Sequence, residues 1–92
     1  MADQSSKQEE LLQFPVDFPM KVMGANEPDF PKIIAELTRA HFPDFDDSLT
    51  TQKISSKGNY MALGIVVHAT SKEQLDNFYR ALTSHPKVKV AL

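Results

Sequence analysis

The sequence predicts an α+β fold in which four strands and two helices follow one another in the order β-α-β-β-α-β. Three observations predict it: an alternating apolar segment at residues 60–70 after a glycine turn, two stretches with apolar residues at helical spacing, and short β-branched segments around them. This order is typical of the ferredoxin-like fold. We therefore expect a four-stranded antiparallel sheet, in strand order 4-1-3-2, with both helices on one face.

The length and composition favour a single domain. A chain of 92 residues with 41% hydrophobic content can bury one core. Residues 1–10 are polar and acidic and are predicted to form a disordered tail, which leaves residues 11–92 as the domain. Cysteine is absent, no apolar run approaches the roughly 20 residues of a membrane span, and the N-terminus does not resemble a secretory signal. These features predict a cytoplasmic protein without a membrane segment.

The first half of the domain begins with a strand at residues 20–24, directly after Pro19. Asp29 and Pro31 are typical of a helix start, and apolar residues then recur at helical spacing. This first helix is expected to end by Phe42, because Pro43 disfavours the helical conformation of the residue before it. Residues 49–55 are rich in β-branched side chains and predict the second strand.

In the second half, the turn at Lys57 and Gly58 leads into the third strand at residues 60–70. Ser71 lies three residues before Gln74, which is the spacing of a capping box and predicts a helix start. This second helix is expected to end at residues 85–86. The last strand, residues 87–92, is predicted to turn Val88, Val90 and Leu92 inward and Lys87, Lys89 and Ala91 outward.

Alternation also predicts which side chains lie on the sheet face that the helices leave open. The predicted open-face residues are Lys21, Met23, Lys53, Ser55, Tyr60, Ala62, Gly64, Val66, His68, Lys87 and Lys89. The predicted floor of this face is small and partly apolar, with lysines on both edge strands. Together with the turn before the third strand, it predicts a ligand or partner surface that comprises Lys21, Lys53, Lys57, Gly58, Asn59, Tyr60, Val66, His68, Lys87 and Lys89.

Charge is distributed unevenly along the chain. Up to Ser48 there are four basic and ten acidic residues, a net charge of −6, whereas the remainder has six basic and two acidic residues, a net charge of +4. Separate solvated faces would explain this segregation, and so would a basic surface that binds an acidic partner.

Several short motifs resemble those of a known family. They are Phe14-Pro15 ahead of Lys-Val-Met-Gly at residues 21–24, Ser-Ser-Lys-Gly-Asn-Tyr at residues 55–60, Ala69-Thr70, and Phe78-Tyr79. Over roughly residues 11–92 the chain resembles the small bacterial YbeD-like proteins. The resemblance implies an ACT-like domain of the ferredoxin type from a bacterial cytoplasm, in a family without an assigned biochemical function. It supplies no catalytic residue, and it suggests a regulatory, ligand-sensing role by analogy of fold alone.

The candidate chemical motifs each have a structural explanation. The turn at residues 57–59 could hold an anion with its backbone N–H groups, but glycine and asparagine are also what a hairpin turn requires. His41, His68 and His85 lack ligand spacing, so no metal site is predicted. The acidic residues at 44–47 lack the glycine and glutamate of a calcium loop. No nucleophile set or cofactor motif is visible, so we expect neither an enzyme nor a bound cofactor.

The leading hypothesis is therefore a regulatory or adaptor domain that binds a protein partner, or a second copy of itself, through the open sheet face. Lysines on the edge strands argue against edge-to-edge pairing. The alternative is a sensor of a small anionic metabolite that uses the Lys57 turn. Binding of single-stranded nucleic acid is less favoured, because Tyr60 is the one aromatic residue predicted on the central strands of the open face and the pI is about 5.8.

Overall fold

A computed structural model describes residues 13–92, so the predicted tail at residues 1–10 lies outside the described residues. Four strands, two α-helices and a short 3-10 helix make up this part of the chain. Their bounds are β1 Val16–Ala25, α1 Phe30–His41, the 3-10 helix Asp47–Leu49, β2 Thr51–Ile54, β3 Tyr60–Ala69, α2 Lys72–Ser84 and β4 Val88–Ala91. The predicted α+β order of elements is confirmed. Neither α-helix of the described part is long and apolar enough to cross a membrane.

The strands form one antiparallel sheet in the order β2-β3-β1-β4, which is the predicted order 4-1-3-2 counted from the opposite edge. The two central strands pair over their full length, from Val16 opposite Ala69 to Ala25 opposite Tyr60. β1 is thus longer than the five residues predicted, because Pro19 does not interrupt it. The backbone N–H and C=O of Lys21 bond to Leu92, so those of β1 residues two positions away also face the β4 side. Pro19 has no N–H group, but a donor at this position would face the β4 side, so its absence removes no hydrogen bond between β1 and β3.

The core lies between the sheet and the two helices. Alternate residues of β3 from Met61 to Ala69 are buried on the helix side, as predicted. The aromatic side chains Phe30, Phe42 and Phe78 have no exposed surface. The rings of Phe42 and Phe78 meet edge to face with their centroids 5.1 Å apart, an arrangement favoured by aromatic quadrupoles. Both helices therefore cover one face of the sheet and leave the other open.

The ends of α2 follow the sequence signals. Ser71 is its N-cap, and its hydroxyl oxygen accepts a hydrogen bond from the Gln74 N–H at 3.1 Å. The Gln74 side chain in turn accepts a hydrogen bond from the Thr70 N–H at 2.8 Å, one residue before the position of a regular capping box. The cap fixes where the chain leaves β3 and enters the helix layer.

The second strand is shorter than predicted. Leu49, the first residue of the predicted strand, instead ends the 3-10 helix. The Asp46 carboxylate caps that helix by accepting a hydrogen bond from the Ser48 N–H at 3.0 Å. Hydrogen bonds from the Ser48 side chain and from this N–H lower the pKa of Asp46. The turn leaves the Leu49 side chain 59% exposed.

The predicted alternation of the last strand is wrong beyond Val88. Val88 lies opposite Gly24 and Val90 opposite Met23, so Lys89 is an extra residue in the ladder. This bulge reverses the two faces of the following residues: Ala91 is 4% exposed, whereas Val90 is 42% exposed. Consequently Val90 shares the open face with Met23.

Candidate functional site

The open face is the side of the sheet away from the helices, and the strand pairing arranges its residues in rows. One row runs Lys53, Ala62, Met23 and Val90, and the next runs Thr51, Gly64, Lys21 and Leu92. Further along the strands, Val66 lies opposite Pro19 and His68 opposite Asp17. Five of the ten residues predicted as a functional surface, namely Lys21, Lys53, Tyr60, Val66 and His68, lie on this face.

The middle of the open face is a shallow channel along β3. Its floor consists of the small side chains of Ala62, Gly64 and Val66, and we call this channel the furrow. Side chains of both β1 and β2 flank it beside Ala62 and Gly64, whereas Val66 lies opposite Pro19 and beyond the β2 pairing. A Cβ atom on Gly64 would come within 2.5 Å of the Thr51 hydroxyl oxygen, so the Thr51 side chain packs over the glycine at this point of the floor. Depressions of about 400 Å³ and about 330 Å³ lie along the furrow, and Lys21 lines both.

Two lysines flank the furrow, Lys21 on β1 and Lys53 on β2. Neither ammonium group has a carboxylate partner within residues 13–92, although Arg39, Lys72 and Lys87 each contact a carboxylate there. Lys21 belongs to a central strand and is surrounded on the open face by Met23, Gly64 and Leu92. The furrow is thus an apolar channel with a lysine ammonium group on each side.

The far end of the furrow carries a side-chain contact between His68 and Asp17. The His68 Nδ1 and the Asp17 Oδ1 are 3.0 Å apart, and both side chains are largely exposed. The two residues are direct cross-strand neighbours of β3 and β1, which explains the contact. His68 therefore forms a hydrogen bond with a neighbouring side chain, and this bond explains its position without a ligand.

The Lys57 turn is held mainly by bonds within the fold. Gly58 has φ 76°, as a hairpin turn requires, and its N–H donates to the Ser55 carbonyl at 2.9 Å. The Gly58 carbonyl accepts a hydrogen bond from the Asn26 side chain at 2.9 Å, and the Asn59 carbonyl accepts one from the Asn26 N–H at 3.0 Å. Because the Gly58 N–H is already bonded, it is not available for the predicted anion nest.

The assignment of Lys87 and Lys89 to the open face requires correction. Lys87 precedes β4, and its ammonium group contacts Glu27 Oε1 at 2.7 Å. This hydrogen bond and the charge of Glu27 raise the pKa of Lys87. Lys89 is the extra residue at the bulge, so regular alternation does not define its face. The β4 edge of the open face therefore carries apolar Val90 where lysines were predicted.

The acidic loop and the histidines need no ligand to explain them. Asp47 contacts Arg39 at 2.6 Å, Asp46 caps the 3-10 helix, and the His41 ring packs 5.5 Å from Phe78. In the part of the chain from residue 13 onward, no three metal-ligating side chains come together.

Sequence reasoning missed the apolar residues Val90, Leu92 and Leu49 on or beside the open face. Leu92 lies opposite Lys21, and both Leu49 and Leu92 line the 400 Å³ depression. Their exposure was not visible in the sequence, because an apolar residue in a strand is normally assigned to the core.

Comparison with known proteins places residues 9–92 within the family model described as "Protein of unknown function (DUF493)". A UPF0250 protein of Janthinobacterium sp. (strain Marseille) is 49% identical over 84 residues, covering 91% of this chain and 92% of the relative. A UPF0250 protein of Neisseria gonorrhoeae (strain ATCC 700825 / FA 1090) is 48% identical over 92 residues, the full length of both chains. The similarity therefore includes every strand and helix described above.

Proposed function

The chain belongs to the DUF493 family, and from that premise we propose that it is a non-enzymatic regulatory or adaptor domain whose open sheet face binds a protein partner. Family membership confirms the resemblance to the YbeD-like proteins, and the relatives are bacterial. The cytoplasmic location predicted from the sequence is part of this proposal, as is the regulatory role of an ACT-like domain.

One observation carries the proposal: the face opposite the helices exposes several large apolar side chains. Met23 is 38% exposed, Val90 is 42% exposed and Tyr60 is 48% exposed. Met23 and Val90 are cross-strand neighbours, and the furrow adjoins them. A contiguous exposed apolar area with a polar rim is typical of a protein interaction site. Folding alone does not require these side chains to be apolar, because the core lies on the opposite face.

A charge introduced in the furrow should abolish partner binding without disturbing the fold. We expect Val66→Lys to do so, because the new ammonium group would be desolvated against an apolar partner surface. Val66 lies on the open face opposite Pro19, so the core keeps its packing. The measurements are partner pull-down and sedimentation, with circular dichroism to verify the fold.

The matched control is Asn77→Lys on the exposed side of α2, which adds the same charge to the helix layer. It should leave association unchanged. Unaltered pull-down and sedimented mass for Val66→Lys would refute the open face as the binding surface.

Sensing of a small anionic metabolite remains the alternative proposal. The depression of about 330 Å³ supports it, since Lys21, Lys53 and Tyr60 line that depression. Because the Gly58 N–H is already bonded, the candidate place for an anionic metabolite is the furrow rather than the Lys57 turn. A metabolite would need the lysines and little of the apolar face, so Val66→Lys should then preserve or improve anion binding.

A further inference from the structure

We propose that the occupant of the furrow is an amphipathic helix of a partner protein, with acidic side chains on both flanks of its apolar stripe. The inference rests on the proposed function and deepens it by specifying the chemistry of the partner. Three properties of the furrow support it: its shape, its charge and the composition of the surrounding face.

The shape of the furrow fits a helix better than an extended segment. The backbone groups of a sheet face are already bonded within the sheet, so an extended segment laid across it would leave its own N–H and C=O groups unpaired. A helix bonds its own backbone and can cover a sheet face with side chains alone. Two strand spacings, from β2 to β1, measure about 9.6 Å, which is close to the helix diameter of about 10 Å.

The floor of the furrow admits close approach of such a helix. Ala62, Gly64 and Val66 present small side chains along β3, while Tyr60 and His68 stand at the two ends. The nine residues from Tyr60 to His68 extend over about 26 Å. A helix of roughly 17 residues has the same length, so a single partner helix could occupy the whole furrow.

The positive charge beside the furrow favours acidic residues on the flanks of the partner helix. Lys53 lies on one side of Ala62 and Lys21 lies on the β1 side of Gly64, so their Cα atoms are about 12 Å apart diagonally. Neither has a carboxylate partner in the described part of the chain. A helix seated between them would partly desolvate both ammonium groups, which favours glutamate or aspartate on both of its flanks.

The same charges argue against a second copy of this chain on the furrow. Face-to-face pairing would bring Lys21 and Lys53 of both copies into one interface, where like charges oppose association. Asp17 is the acidic side chain that the strand register places on this face, and it already contacts His68. A partner with a complementary acidic surface avoids this repulsion.

The test uses two synthetic peptides of about 18 residues, long enough to span the furrow. Both have leucine at helical i, i+3, i+4 and i+7 spacing, and their flanking positions are glutamate in one and lysine in the other. Each is titrated into the isotope-labelled full chain and followed by NMR. The glutamate peptide should shift the amide signals of Ala62, Gly64 and Val66, with weaker binding at higher salt.

Reversal of the furrow charges should exchange the peptide preference. We expect Lys21→Glu combined with Lys53→Glu to weaken binding of the glutamate peptide by about tenfold or more, and to confer binding of the lysine peptide. The control, Lys32→Glu with Arg80→Glu, makes the same change in net charge on the exposed helix layer and should leave both affinities unchanged.

Two results would overturn the inference. The first is binding of the lysine peptide to the unmodified furrow that equals or exceeds binding of the glutamate peptide. This result would keep the open face as a binding surface but would exclude a partner helix with acidic flanks. The second is the absence of shifts in the furrow with either peptide. The proposed function is judged separately, because partner pull-down with Val66→Lys does not depend on either peptide.

Discussion

Phe78→Ala is expected to lower the free energy of unfolding by about 3–5 kcal/mol. Phe78 is fully buried at the centre of the helix layer, where it contacts the ring of Phe42 edge to face. Its ring also lies 5.5 Å from that of His41, at the end of α1. Removal of the ring leaves a cavity between α1, α2 and the sheet that surrounding side chains can fill only in part. Small domains have total stabilities of about 5–15 kcal/mol, so this variant should be marginally folded.

Urea denaturation followed by circular dichroism measures this loss. The control is Asn77→Ala, one residue earlier on the exposed side of α2, which should change the stability by less than about 0.5 kcal/mol. If Phe78→Ala lost no more than the control, the described core would be wrong.

Gly24→Ala is expected to cost about 1–3 kcal/mol and to displace β4. A Cβ atom on Gly24 would overlap the Lys87 carbonyl oxygen and lie 2.6 Å from the Phe30 ring. The carbonyl belongs to the backbone and Phe30 is fully buried, so neither can move freely. Gly24 also adjoins the register shift that turns Val90 outward, so its substitution should change the open face as well.

The matched control for this variant is Gly64→Ala on the open side of β3. There the added Cβ atom would meet the hydroxyl of the exposed Thr51, which can rotate away. We expect a stability change within about 1 kcal/mol, because alanine also reduces the entropy of the unfolded chain. NMR signals of Val90 should move strongly in Gly24→Ala and little in Gly64→Ala. An equal loss of stability in Gly24→Ala and Gly64→Ala would contradict the close packing at Gly24.

The fold could be predicted because the local signals agree with burial. In β3 the large residues Met61, Leu63 and Ile65 alternate with smaller ones. Only the large residues can fill the core, so the sequence determines which face of the strand is buried. Similarly, Ser71 and Gln74 define the start of α2 through their own hydrogen bond. These features depend on residues close in sequence.

The composition of the open face could be predicted only in part, because it depends on contacts between distant residues. The last strand contains Val88, Val90, Ala91 and Leu92, and either register would bury apolar side chains. The register of β4 depends on its contact with Gly24 and Phe30. The bulge at Lys89 then turns Val90 outward. The pairing of Lys87 with Glu27 joins residues 60 positions apart, which no local pattern reveals.

These long-range contacts strengthen the functional account. The bulge replaces a predicted lysine edge with apolar Val90, so the open face is more apolar than the sequence suggested. Lys21 and Lys53 then stand beside the furrow without a carboxylate partner among residues 13–92. An apolar channel between two ammonium groups is a more specific surface than a ring of lysines, and it defines what kind of partner can bind.

Photo-cross-linking in the native cell tests the central claim, that the open face binds a partner, most directly. The full chain would carry p-benzoylphenylalanine at Val66 in the furrow or, as the control, at Asn77 on the exposed side of α2. Adducts with a partner should form from position 66, and they should disappear when Lys21→Glu and Lys53→Glu are added. Adducts that form from position 77 and not from position 66 would contradict the account.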